Sequence, residues 1–249
     1  MFIIYIILLT TSLFANKINI AVAANVSYAI DDLIYEFNKT NPNTKVNVTL
    51  GSSGKLTAQI RHGAPYDLFM SANMKYPQYL YDNNMAVTKP IVYAKGALAM
   101  FSKQNLDFSK GLALTQDKNI KRIAIANPKT APYGIATQEA LKNANLYDSI
   151  KKKFIYGESI SQTVSYTVTA CDIGFIAKSS LYSPKMAKYK KAINWQDVNK
   201  NLYTPINQGI VILKKSKNNS DVKAFYDFMK SNKAKNILKK FGYLVPWVT

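Results

Sequence analysis

The stretch KINIAVAANVSYAIDDLIYEF, Lys17 to Phe37, decides how this chain folds. Its first part, Ile18 to Val22, is a short apolar run of strand character. Its second part places Val26, Ile30, Leu33, Ile34 and Phe37 at helical spacing. A strand that passes through the small and polar residues Ala24-Asn25 straight into an amphipathic helix is the repeating unit of an α/β protein.

Working outward, the same alternation recurs. Strands are expected at Ile18 to Val22, Val46 to Leu50, Asp67 to Met70, Leu98 to Phe101, Ile123 to Ala126, Phe154 to Tyr156, Ile173 to Ile176 and Ile210 to Leu213. Helical stripes follow in Leu56 with Ile60 and in Phe225, Phe228 and Met229. A last helix, near Lys233 to Phe241, should stop at Gly242 with Pro246 behind it. The sheets are expected to be largely parallel. Two extended passages, Lys89 to Lys95 and Tyr203 to Gln208, suit a chain that crosses twice between two lobes.

The chain has 249 residues, 48% of them hydrophobic and 19% charged, enough for one large domain or two modest ones. Met1 to Ala15 carries no charge and is dominated by Ile, Leu and Phe. Its apolar run is shorter than the roughly 20 residues a spanning helix needs, so it reads as an export signal cut after Ala15. The only cysteine, Cys171, is far from that cut and reads as a small buried apolar residue, with no part in lipid attachment.

The formal net charge of +19 invites a nucleic-acid reading. Nearly all of it is lysine scattered along the chain, and only Arg61 and Arg122 offer a bidentate fork, so the charge is read as solvated surface and no nucleic-acid partner is expected.

Enzyme readings lack parts. His62, the single histidine, has no metal-ligand or cysteine neighbour at useful spacing and is expected at the surface. Gly54-Lys55 misses the phosphate-loop pattern, since Thr49 stands where its first glycine belongs and Leu56 follows the lysine. Gly51-Ser52-Ser53-Gly54 is not spaced as a nucleophile elbow. Asp31 and Asp32 read as first-turn acids at a helix start. No catalytic residue, cofactor or protein-bound metal is expected.

Four strand-to-helix junctions stand out: Ala24-Asn25-Val26, Gly51-Ser52-Ser53-Gly54, Pro132-Tyr133-Gly134-Ile135 and Gly157-Glu158-Ser159-Ile160. The first N–H groups of a helix lack internal partners and carry about half a positive charge, so such ends attract anions. Taken singly, Asn25, Ser53 and Ser159 read equally well as helix caps.

The runs Ala23-Ala24-Asn25, Gly51-Ser52-Ser53-Gly54-Lys55-Leu56 and Gly63 through Asn73 (GAPYDLFMSAN) resemble the periplasmic molybdate-binding proteins. Pro128 through Gly134, Gly157 through Ile160, Gly174-Phe175-Ile176 and Val222 through Phe228 follow in the family's order. The resemblance implies a periplasmic binding protein fold of type II character: an α/β protein of two lobes joined by two crossing segments, with a ligand cleft between. The lobes are expected at 16–92 plus 206–249 and at 93–205, behind a signal peptide at 1–15.

The resemblance further implies a monomeric, periplasmic receptor that captures molybdate or tungstate and delivers it to an ABC transporter membrane component. In that family the oxyanion is gripped by neutral donors. The matching positions are Asn25, Ser53, Tyr133 and Ile160, with Ala24 beside them. Two positions depart from the family: Asn25 stands where serine is common, and Ala177 stands where relatives have a tyrosine hydroxyl. An Asn25 amide donor and the Tyr133 phenol are the expected replacements. The alternatives are a receptor for another oxyanion such as sulfate, and a small hydrolase or transferase.

Overall fold

The computed structural model describes residues 16–245, so the expected export signal at 1–15 and the expected helix-stopping Pro246 lie outside the described residues. The first lobe begins with β1 (Asn16–Ala23), a 3-10 turn at Ala24–Tyr28 and α1 (Ile30–Asn38). It continues with β2 (Thr44–Gly51), α2 (Ser53–Arg61), β3 (Leu68–Ser71), α3 (Lys75–Asp82) and β4 (Ile91–Gly96).

The second lobe contains β5 (Leu98–Phe101), β6 (Ile123–Ala126), α4 (Pro132–Asn143), α5 (Tyr147–Ile150) and β7 (Phe154–Gly157). It ends with α6 (Ile160–Thr169), β8 (Ile173–Ala177) and β9 (Trp195–Asp197). The chain then returns through β10 (Ile206–Ile212) to α7 (Ser220–Lys230) and α8 (Asn232–Lys240).

Each lobe is built on a five-stranded sheet, in the order β2-β1-β3-β10-β4 and β7-β6-β8-β5-β9. The sheets are mixed rather than largely parallel. β10 runs antiparallel to both β3 and β4, and β5 antiparallel to both β8 and β9. Local sequence reports that a strand is buried and does not report the direction of its neighbour. The crossings fall between β4 and β5, at Ala97, and between β9 and β10; the expected passage Tyr203 to Gln208 overlaps the second, whereas Lys89 to Lys95 lies mostly within β4 of the first lobe's sheet.

The helical stripes face the sheets. Ile18, Ile20 and Val22 of β1 are fully buried against Ile30, Leu33 and Phe37 of α1, with Phe225 and Leu238 closing the same cluster. Phe37 meets Phe225 edge-on, ring centroids 5.1 Å apart. Burying such a side chain contributes about 1.5–3 kcal/mol. In the second lobe Ile123, Ile125 and Phe175 pack with Ala136, Ala140 and Leu141, in a cluster that continues across the cleft into Ala23, Ala24 and Ala72.

Three elements had no clear sequence signal, the four-residue α5 among them. Among the residues of α3 only Pro77 and Leu80 are buried, too few to draw a stripe, and β9 is a three-residue edge strand. α8 ends as expected, with Gly242 at φ 75°. Asp31 and Asp32 occupy the first turn of α1, Cys171 is buried and His62 is exposed. Among the described residues no helix is long and apolar enough to cross a membrane.

Candidate functional site

The four junctions meet. Ala23, Ala24 and Asn25, then Gly51, Ser52 and Ser53, then Ala131, Pro132 and Tyr133, and finally Ile160, enclose with Ala72 about 190 Å³ of space, its open mouth included. Asn25, Ser53, Tyr133, Ile160 and Ala24 thus all line one cavity at the carboxyl ends of the strands, as is usual in α/β sheets. None of its lining side chains is charged. Among the described residues no group of His, Cys, Asp or Glu is placed to hold a metal ion.

The caps leave the right donors open. Ser52, not Ser53, is the cap of α2, its Oγ accepting from Lys55 N at 3.4 Å. Ser159 caps α6 by accepting from Gln162 N at 3.3 Å. Each cap serves the third N–H of its helix, so the first, on Ser53 and on Ile160, is not taken by it. In α4 the first position is Pro132, which has no N–H, and the first donor is therefore on Tyr133.

Ser53 is fully buried, and its Oγ accepts the Ala72 N–H at 2.9 Å. That bond fixes the oxygen, and among the described residues the hydroxyl proton meets no acceptor. An O–H so placed on the cavity wall is a donor in waiting.

The two expected side-chain replacements are oriented differently. Asn25 gives its Nδ2 protons to Gln208 Oε1 and Tyr243 Oη, both at 2.8 Å, so its amide donors are spent behind the cavity. Tyr133 Oη lies 3.3 Å from Gln208 Nε2 and packs over Gly96, where a Cβ would collide with it. Burial holds the Tyr133 phenol well above its ordinary pKa, with the neighbouring Tyr243 adding to the effect, so it stays a neutral O–H. Ala177 is fully buried in the cluster that also holds Tyr133 and Tyr203.

The lobes are in contact over the cavity. Gly54 N donates to Thr130 O at 2.9 Å, Ser161 Oγ to Ala24 O at 2.8 Å, and Ser179 Oγ to Asn25 O at 2.9 Å. Lys55 pairs with Glu158 across the mouth, both half-exposed. The contributions of Gln208, Tyr243, Ser179 and Ala72 carry no local sequence signal, because each acts through a partner distant in the chain.

Over residues 18–244 the chain matches the family of bacterial extracellular solute-binding proteins. It belongs to that family. Within it, the chain is similar to the molybdate-binding protein ModA of Azotobacter vinelandii, 34% identical over 92% of this chain and 90% of that one. It is 33% identical to ModA of Rhodobacter capsulatus, over 92% and 89%. The solved periplasmic molybdate-binding protein of Azotobacter vinelandii superposes with a TM-score of 0.85 at 30% identity, covering 92% of this chain and all of that one. The resemblance seen in the sequence and the two-lobed binding-protein fold are thereby borne out. These relatives carry the name of molybdate-binding proteins, and the matched family is one of extracellular solute-binding proteins.

Proposed function

We propose that this solute-binding protein captures molybdate, and tungstate with it, in the cavity between its lobes and presents the closed complex to an ABC transporter in the membrane. The observation that carries the reading is the convergence of four helix starts on one cavity free of charged side chains. Aligned peptide dipoles and unpaired N–H groups there favour a dianion without any cation.

Neutral donors also discriminate. A cavity walled chiefly by N–H and O–H donors gives a protonated ligand oxygen few acceptors, so hydrogen phosphate is disfavoured. Sulfate is fully deprotonated but smaller, and would stretch bonds set for a larger tetrahedron. The ligand positions are Asn25, Ser53, Tyr133 and Ile160, with Ala24 adjoining. The lobes are taken as 16–92 plus 206–249 and 93–205, with the difference that β4 carries the first lobe's sheet on to Gly96. The mature protein begins near Asn16 and works as a periplasmic monomer without catalytic activity or cofactor.

Titration calorimetry on residues 16–249 with molybdate, tungstate, sulfate and phosphate tests this. Tight binding of the first two alone is the expected result. Preference for sulfate or phosphate would overturn it.

A further inference from the structure

Five buried polar side chains meet behind the cavity, where the lobes join: Asn25, Tyr93, Tyr133, Gln208 and Tyr243, each at most 3% exposed. Gln208 is at the centre. Its Oε1 accepts from Asn25 Nδ2 at 2.8 Å and from Tyr93 Oη at 2.9 Å, and its Nε2 donates to Tyr133 Oη at 3.3 Å. Two groups are left unmet. Asn25 Oδ1 is buried without a partner, and the Tyr133 proton has no acceptor among the described residues while the oxygen accepts from Gln208.

We propose that Gln208 is a positioning residue for the oxyanion, and that Gln208 and Asn25 reverse their side-chain amides together when the anion binds. The inference rests on the reading of the cavity as an oxyanion site. A side-chain amide can turn over with no change of shape, exchanging a donor for an acceptor. Neither can turn alone, because Asn25 Oδ1 would then face Gln208 Oε1, or two N–H groups would oppose each other.

Turned together, Gln208 Nε2 donates to Asn25 Oδ1, and Gln208 Oε1 accepts the proton of Tyr133. Tyr243, which now donates to the Asn25 carbonyl, can turn its proton to Asn25 Oδ1, and the carbonyl keeps Ser179. Asn25 Nδ2 then occupies the place of the unpartnered oxygen, on a residue that lines the cavity. Tyr93 loses its acceptor.

Counted over the protein's own groups, the reversed form leaves two donors unmet, against one donor and one acceptor in the form described. An anion accepts from one of those donors and is repelled by the oxygen it replaces. Binding therefore selects the reversed form by differential affinity. The same choice bears on specificity, since Asn25 Oδ1 is an acceptor a protonated oxyanion can use and a bare dianion cannot.

Calorimetry with molybdate on the full chain comes first: absence of binding would remove the oxyanion reading and this inference together. Given binding, neutron diffraction from crystals of the molybdate complex in deuterated solvent distinguishes amide nitrogen from oxygen directly. The expected result is deuterium on the Gln208 atom facing Asn25 and on the Asn25 atom facing the anion. Gln208 Oε1 still facing Asn25 Nδ2 would overturn the proposal and leave the oxyanion reading standing.

A substitution gives a second readout. Gln208→Met, which frees Asn25 to turn, should lose about tenfold or less in molybdate affinity. A loss of about a hundredfold or more in this variant would count against the relay. The diffraction result stands even where a variant fails to fold.

Discussion

Gly54 N donates to the carbonyl of Thr130 across 2.9 Å, joining the first turn of α2 in one lobe to the approach to α4 in the other. Only glycine allows that approach. A Cβ at Gly54 would lie 2.8 Å from Tyr76 Oη and 2.9 Å from Thr130 O. Gly54→Ala should therefore oppose closure while each lobe keeps its own core. We expect anion affinity to fall about tenfold, by calorimetry, with thermal stability of the unliganded protein little changed.

Ser53→Ala removes a buried hydroxyl on the cavity wall whose proton meets no acceptor among the described residues. It also strips Ala72 N–H of its acceptor. A loss of about 1–3 kcal/mol in molybdate binding is expected, with a smaller fall in melting temperature from the orphaned N–H. Ser52→Ala, by contrast, should act through loss of a helix cap and lower stability by about 1 kcal/mol.

Anion binding should be independent of pH between 6 and 9, because no cavity side chain changes charge there. Burial raises Tyr93, Tyr133 and Tyr243 above the ordinary tyrosine value of 10.0. Groups whose folded pKa is raised bind protons more tightly in the native state. Their contribution is complete below the unfolded value and is lost as pH climbs beyond it. Chemical denaturation at stepped pH should show stability constant to about pH 10 and falling above it; a decline centred near pH 7 would contradict this assignment.

Lys55→Ala should change affinity by less than about threefold at physiological salt. Its pair with Glu158 spans the mouth of the cleft, but both groups are half-exposed and solvent screens them. A large, salt-sensitive loss would mean that the ion pair, rather than the neutral donors, controls closure.

Ala177→Tyr should not restore a hydroxyl to the site. Ala177 is fully buried in the cluster that holds Tyr133 and Tyr203, and a phenol added there must displace packed side chains. A stability loss of about 1–3 kcal/mol from overpacking is expected in thermal unfolding.

Much of this architecture was legible before folding. Apolar runs such as Leu98–Phe101 and Ile123–Ala126 became strands over the spans expected, because burial on both faces leaves a continuous hydrophobic signal. The helix starts at Ser53, Pro132 and Ile160 were marked by small, capping or proline residues, which act within a turn of themselves. The helix α3 and the edge strand β9 were missed because neither buries enough of itself to leave a period.

By itself the sequence determined the alternation of elements, the neutral character of the junction residues and the membership of the solute-binding family, all of which are carried by local pattern. Only the tertiary structure decided that four junctions share one cavity, that the sheets are mixed, and that the Asn25 amide turns toward Gln208, 183 residues away. Periodicity records whether a residue is buried. Which distant group it then faces depends on how the lobes close, and no local rule carries that information.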